Sequence, residues 1–366
     1  MVTAIVSDLH LGTTSGADVA RGPAVRERLM EALAPADRVV LLGDALELRE
    51  RPAADVMELA RPLLEELGEV TAGRQLVIVP GNHDYELVGP ALEAARLDGR
   101  TSLPAEATFD VARSELAGRV AALMPRTEIV LAYPGVRLRS DVYATHGHYL
   151  DLHLTVPRME CLLASAVARF TGVRAGELPA IDAYEAALSP IYAFAHSIAQ
   201  GSPARAVAKG GNLSRSVWRH SNPDRGTGLT GFALGRLAIP AAVGAINAIG
   251  LGPFGSDISG LELRRAGLRA MGEVVAATGV EADHVIFGHT HRAGPRPGDA
   301  EGWWLPQGTR LTNTGSWLYE AVFLEDGSPD NPYWPGTVTW LGEHGPPEQS
   351  NVLGGLDLYS EQSLKP

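Results

Sequence analysis

The chain has a single cysteine, Cys161, among its 366 residues. An internal disulfide is therefore excluded, as is a zinc or iron–sulfur site built on several thiolates. That usage fits a reducing compartment. Positive charge is also in short supply, with 31 Lys+Arg against 43 Asp+Glu and a net charge of -12. Such a balance argues against tight non-specific nucleic-acid binding, as does the lack of a basic stretch interleaved with aromatics. Internal repeats and low-complexity tracts are missing. The first residues, Met1-Val2-Thr3-Ala4-Ile5-Val6, are apolar but lack a basic start, and Asp8 and His10 follow at once. They do not read as a secretory signal.

One uncharged segment, 237–255, approaches the length of a membrane span. Pro240, Asn247, Pro253 and several glycines argue against a transmembrane helix, and a buried or interfacial segment is the favoured reading. The expected location is the cytoplasm. Peripheral contact with the inner face of a membrane through 237–255 is the alternative. With 45% hydrophobic residues and no sign of disorder, a chain of this length can bury a full core.

What is present first alternates between strand and helix. Short apolar runs at 3–7, Arg38–Leu42, Gln75–Val79, Glu128–Ala132, 141–145 and His284–Phe287 read as strands. Helical spacing covers 24–33, with Val25, Leu29 and Leu33 on one stripe, and 53–67, with Val56, Leu59, Leu63, Leu64 and Leu67. The pattern predicts a layered α/β architecture. From 152 to 279 the alternation stops. Helical stretches at 158–170, 181–199 and 261–278 are separated by breaks such as Ala208-Lys209-Gly210-Gly211. This segment is too long for an ordinary loop and reads as a helical insertion. Strands then return at 311–313, 319–323 and 337–340. The expected division is a core at 1–151, an insertion at 152–279, the rest of the core at 280–345, and a Pro/Gly-rich tail at 346–366 that lies over the surface or is loose.

Five polar clusters stand just after predicted strands: Asp8-Leu9-His10, Gly43-Asp44, Gly81-Asn82-His83-Asp84, His146-Gly147-His148 and Gly288-His289-Thr290-His291. Ligands of an open α/β sheet gather at the carboxyl ends of its strands. Six of the 11 histidines fall in these clusters. Taken singly, Asp8, Asp44, Asn82 and Asp84 are ordinary turn formers. Taken together, carboxylate, imidazole and amide oxygen without thiolate suit two divalent ions. Asp44, on a tight Gly turn, is the candidate bridge, because one carboxylate offers two oxygens. Asp8 and His10 would hold one ion and Asn82 the other. His289 and His291, at i and i+2, can serve one each. Glu47 reads equally as a neighbour of the ligands or as a solvated acid at a helix start. His153, His196, His220, His284 and His344 read as surface or packing residues.

These clusters resemble the calcineurin-like metallophosphoesterase family, whose pattern is D-x-H, G-D, G-N-H-D, an H-G element and G-H-x-H. All five occur here in that order. Asp8-Leu9-His10-Leu11 and Gly43-Asp44-Ala45-Leu46-Glu47 also resemble the bacterial UDP-2,3-diacylglucosamine pyrophosphatase branch. The chain differs from that branch at His148, where an Asp is usual, and has a longer insertion. The resemblance implies an αββα sandwich and a hydrolase acting on phosphoric esters or anhydrides through water activated by two metals, with Mn2+, Fe or Zn2+ as the candidates. It implies Asp8, His10 and His291 on one ion and Asn82, His146 and His289 on the other, with Asp44 shared. His146 is preferred to His148 because the family's ligand precedes the Gly. His83 would protonate the leaving group, and Asp84 would hold its imidazole. The expected substrate is a phosphorylated small molecule or a lipid-linked phosphate. Arg205, Arg215, Arg219 and Arg225 of the insertion are candidate phosphate contacts, and the insertion is a candidate lid. The competing readings are a nuclease-type phosphodiesterase, a membrane-associated lipid-phosphate hydrolase and a non-catalytic scaffold.

Overall fold

Val39-Val40-Leu41-Leu42 and Leu76-Val77-Ile78-Val79 are apolar at every position, so a strand formed there must be covered on both faces. The computed structural model meets that demand with two sheets. It describes residues 1–154, 167, 181–201, 260–299, 302–321, 323–324, 328–356 and 358. Two compact units emerge. One comprises Met1–Gly147, Ala195–Ala204 and Glu281–Pro366, and the other His148–Phe194 and Arg205–Val280.

In chain order the first unit begins with β1 (Thr3–Val6), α1 (Pro23–Leu33), β2 (Arg38–Leu42), α2 (Ala53–Val70) and β3 (Gln75–Val79). It continues through α3 (Gly89–Leu97), β4 (Thr108–Phe109), α4 (Glu115–Ala122), β5 (Glu128–Ala132), β6 (Gly135–Arg139) and β7 (Val142–Thr145). After the helices α5 (Ile181–Gly201) and α6 (Gly260–Thr278) come β8 (His284–Phe287), β9 (Arg310–Asn313), β10 (Thr337–Leu341) and β11 (Glu348–Asn351). The seven-stranded sheet has the order β11-β10-β1-β2-β3-β5-β4, and its β1, β2, β3 and β5 are parallel. The four-stranded sheet runs β6-β7-β8-β9, with β7, β8 and β9 parallel.

Alternate residues decide which face is which. Ile5, Val40, Leu42, Val77 and Val79 of the first sheet share one buried cluster with Leu138, Val142, Ala144 and Ile286 of the second. The sheets thus meet through a common core. The other face of β2 and β3 presents Val39, Leu41, Leu76 and Ile78, which are buried as well. This is the layered α/β class expected, with a parallel-rich central sheet and flanking helices.

One expectation needs correction. The run 319–323 forms no strand. Leu318 makes an isolated antiparallel bridge to Asp18, Tyr319 N–H donates to the Ala17 carbonyl at 2.8 Å, and Phe323 N–H closes a turn on Glu320. Its apolar residues pack as a loop, with Tyr319 against the Trp334 ring. In the tail, residues 348–351 form β11, paired antiparallel to β10 at the edge of the larger sheet. Its sequence, Glu-Gln-Ser-Asn, lacks apolar alternation because an edge strand can stay wet.

In the second unit the 3-10 turn His148–Leu152 packs against α6. Tyr149 donates to Glu185 Oε1 at 2.6 Å and stacks on Tyr184, whose hydroxyl lies 2.7 Å from His153 Nε2. The expected helix at 158–170 except Val167, the segment 237–255, and Arg205, Arg215, Arg219 and Arg225 lie outside the described residues. No helix among the described residues is long and apolar enough to cross a membrane.

Candidate metal centre

Parallel strands end at the same edge, and the chain departs from β1, β2, β3, β7 and β8 through Asp8, Asp44, Asn82, His146 and His289. The turns are tight. Asp8, His10, Asp44, His289 and His291 have φ of 54°, 44°, 52°, 66° and 60°, and they are the non-glycine residues of positive φ among those described. Each costs of order 1–3 kcal/mol unless its surroundings impose it. Here they do. Asp8 N–H donates to Gly43 O at 3.0 Å, His10 N–H to Asp44 O at 2.8 Å, and Gly288 N–H to His146 O at 3.0 Å.

The side chains converge in two adjoining groups. Asp8, His10 and His291 form one, with His291 Nε2 3.3 Å from Asp8 Oδ1 and 3.2 Å from His10 Nε2. Asp44, His146 and His289 form the other, with His146 Nε2 3.1 Å from Asp44 Oδ2. Asp44 Oδ2 is also 3.7 Å from His10 Nε2, so this carboxylate lies between the groups. The His146 ring is set by its other nitrogen, which lies 3.0 Å from the Leu42 carbonyl and leaves Nε2 to the site. One end of the Asn82 amide lies 3.3 Å from Asp44 Oδ2, 3.3 Å from His146 Nε2 and 3.1 Å from His289 Nδ1. The other end is 2.9 Å from a guanidinium nitrogen of Arg49. His148, by contrast, lies in the second unit, its ring edge-on to Tyr149 and Tyr192.

The expected partnership of His83 with Asp84 is not what the structure forms. Asp84 is fully buried and accepts N–H bonds from Gly81 at 2.7 Å, Ala45 at 2.8 Å, Asp44 at 3.2 Å and Leu46 at 3.3 Å. It ties the Asp44 turn to the Asn82 turn. His83 Nδ1 instead meets Glu47 Oε2 at 2.7 Å, and the same oxygen lies 3.0 Å from His10 Nδ1. Glu47 is 2% exposed, which excludes the solvated reading. The available signal was its place three residues after Asp44. His83 Nε2 faces Arg49 at 3.5 Å, and the imidazole is about a quarter exposed, as is that of His291. His83 also sits near enough to His10 and Asp44 to form a third candidate ligand group.

Charge explains why these residues suit cations. Burial opposes a proton on His10, yet its bond to Glu47 and the charges of Asp44, Glu47 and Asp8 lift its pKa to about 10. Burial opposes the His146 cation too, but the charge and hydrogen bond of Asp44, with help from Asp8, raise it to about 9. Burial would lift Asp44, but His146, His83 and His10 hold it well below the carboxylate range. Glu47 is held low in the same way by His83 and His10. Asp84 goes the other way, to about 6, because burial and the charge of Asp44 outweigh its amide donors. Buried carboxylates thus collect protons on neighbouring imidazoles where no cation is present. The donor set of oxygen and imidazole, with acceptor atoms facing one another, fits divalent ions.

The glycines of the motifs are demanded by close approach. A Cβ on Gly81 would overlap Asp44 Oδ1 and lie 2.6 Å from His146 Cδ2. On Gly288 it would lie 2.5 Å from Asp8 Oδ2 and 2.7 Å from Ser7 Oγ. Gly81→Ala and Gly288→Ala are each expected to weaken divalent-metal binding roughly 10- to 100-fold, the scale for disturbing the groups that orient ligands. Metal content after dialysis, with circular dichroism to verify the fold, checks this. Full retention of metal would refute it.

The sequence model of the calcineurin-like phosphoesterase family matches residues 1–168. That span takes in Asp8, His10, Asp44, Asn82, His83, Asp84 and His146, while His289 and His291 lie beyond it. Over residues 1–168 the chain is similar to a family of hydrolases that act on phosphoric esters and use divalent metals. No curated protein matches the chain significantly.

Proposed function

We propose that the chain hydrolyses a phosphate ester or pyrophosphate at a dinuclear metal centre held by Asp8, His10 and His291 on one side and Asn82, His146 and His289 on the other, with Asp44 shared. The observation that carries this reading is the position of Asp44 Oδ2, 3.7 Å from His10 Nε2 and 3.1 Å from His146 Nε2. When bound, two divalent cations supply Lewis acidity towards phosphoryl oxygens and acidify water near neutral pH.

The rest falls to the chain's own groups. Glu47 fixes the His83 ring through Nδ1 and leaves Nε2 as the nitrogen that would meet the leaving group. From there His83 donates a proton to the leaving oxygen. Asp84 and the backbone bonds of the Asp8 and Asp44 turns keep the ligands in register and limit reorganisation during the reaction. Most of the chain between His146 and His289 forms the second unit, and we assign selection of the substrate to that inserted helical segment.

The test is direct. The purified chain is assayed for bound metal and then, with Mn2+, against phosphomonoesters, phosphodiesters and nucleotide-sugar pyrophosphates. Metal binding near two equivalents with turnover of at least one class is the expected outcome. Metal-independent turnover, or no metal uptake, would reject the proposal. The likeness to the UDP-2,3-diacylglucosamine pyrophosphatase branch places pyrophosphates in that screen.

A further inference from the structure

Two hydroxyls stand next to the Asp8 carboxylate. Ser7 Oγ lies 2.5 Å from Asp8 Oδ2 and 2.5 Å from Thr314 Oγ1. Both residues are buried. Ser7 follows β1 of the seven-stranded sheet and Thr314 follows β9 of the four-stranded one, so the pair joins the ends of two strands from different sheets. Thr314 is held in turn, because its N–H donates to the Phe287 carbonyl at 2.8 Å. Beside it, Asn313 Nδ2 donates to the Gly288 carbonyl and to Thr290 Oγ1, each at 2.9 Å, while Asn313 Oδ1 accepts from Gly315 N–H at 3.0 Å. The turn that carries His289 is thus tied to the strand end that carries Thr314.

Proton counting gives the hydroxyl pair a direction. Each hydroxyl has one proton, and an ionised carboxylate only accepts. Ser7 therefore donates to Asp8 Oδ2, and Thr314 donates to Ser7 Oγ. The Phe287 carbonyl, 3.2 Å from Thr314 Oγ1, and the Gly315 carbonyl, 3.3 Å from Ser7 Oγ, are the more distant acceptors. Donors that run in series polarise one another. The two oxygens of Asp8 thereby become unequal. Oδ2 is taken up by Ser7. Oδ1 lies 3.3 Å from His291 Nε2 and 3.9 Å from His10 Nε2, beside the nitrogens of its candidate metal group. The His289 N–H is 3.2 Å from both oxygens and does not distinguish them. An unrestrained carboxylate can meet a cation through one oxygen or two.

We infer that Ser7 is a positioning residue of this centre, which, backed by Thr314, reserves Oδ2 of Asp8 and leaves Oδ1 as the one ligand atom offered to the ion that Asp8 shares with His10 and His291. The inference rests on the dinuclear reading above and gives two hydroxyls a role that its ligand set does not include. A pair of hydroxyls that merely satisfy each other in a core would affect stability alone. A pair that sets one ligand should affect one ion of the two.

The test titrates Mn2+ into the metal-free full-length chain, followed by calorimetry and electron paramagnetic resonance. Ser7→Ala is expected to weaken one Mn2+ equivalent roughly 10- to 100-fold, the scale for removing a group that orients a ligand. The other equivalent should keep its affinity, because among the described residues Ser7 Oγ bonds to Asp8, Thr314 and the Gly315 carbonyl, not to Asp44, His146 or His289. At a Mn2+ concentration that fills the wild type, the variant should show the spectrum of an isolated ion rather than a coupled pair. The fold should survive, since Thr314 Oγ1 keeps the Phe287 carbonyl as acceptor and Asp8 keeps the His289 N–H. Thr314→Val should weaken the same equivalent roughly 3- to 10-fold, the scale of one hydrogen bond, and Thr314→Ser, which retains the hydroxyl, should bind as the wild type does. Unchanged binding in Ser7→Ala would overturn the inference by making Ser7 a core hydroxyl. Equal weakening of both equivalents would overturn it by making Ser7 part of the scaffold. Either result leaves the dinuclear reading standing. Thr314→Val that binds as tightly as Thr314→Ser would refute the backing by Thr314. A wild-type chain that takes up no Mn2+, or a single equivalent, would instead strike the dinuclear reading, and the inference with it.

Discussion

His83→Ala protein is expected to keep its divalent metal and to lose turnover roughly 10²- to 10⁴-fold, the range for removing a positioned general acid. Its hydrogen bonds allow the two effects to be separated. The His83 backbone N–H donates to Asp44 Oδ1 at 2.8 Å, and alanine retains that bond. The shared carboxylate therefore keeps its support while the imidazole disappears. The loss should shrink for esters of acidic phenols, whose leaving oxygen needs no proton. Turnover of an alkyl and a nitrophenyl ester, measured beside metal content, checks both statements. If metal content falls in step with turnover, His83 is a ligand, as its grouping with His10 and Asp44 allows, and the acid must be sought elsewhere. Glu47→Gln makes a useful companion. It disturbs His83 and His10 through the same oxygen, so it should lower both turnover and metal affinity. Added to His83→Ala at saturating metal it should cost little further turnover, because groups that act as a unit are not additive.

The contrast between Glu47 and Asp84 shows what the sequence could and could not disclose. The five clusters were legible because each is local: an apolar run, then Gly, then a donor. Strands that must be buried on both faces announce themselves, and Arg38–Leu42, Gln75–Val79, Glu128–Ala132 and His284–Phe287 form where their composition predicts. The resemblance misled at Asp84. In a turn this tight a carboxylate one residue on is drawn back to the loop's own amides, and the imidazole finds a partner 36 residues away. Left-handed backbone at Asp8, His10, Asp44, His289 and His291 leaves no mark in composition beyond a neighbouring glycine, since tertiary bonds impose it.

Metal uptake is expected to expel protons and to weaken steeply in acid. With pKa values of about 10 and about 9, His10 and His146 both carry a proton near neutral pH in the metal-free chain. A cation takes only the neutral imidazole, so filling both groups must displace both protons. The sign follows. Below about pH 9, each unit of pH lost should weaken the loading of the pair roughly a hundredfold, tenfold for each proton. The dependence should flatten as pH rises through the values of His146 and then His10, where no proton remains to be expelled. Calorimetric titration with Mn2+ in two buffers of different ionisation enthalpy counts the protons directly. A count near two supports the view that imidazolium charge stands in for metal among Asp8, Asp44 and Glu47. A count near zero would mean that these carboxylates are neutralised in some other way, and that the raised values of His10 and His146 do not describe the resting centre. His83→Ala should leave the count unchanged, because its imidazole lies outside the two groups that hold Asp8, His291, His146 and His289.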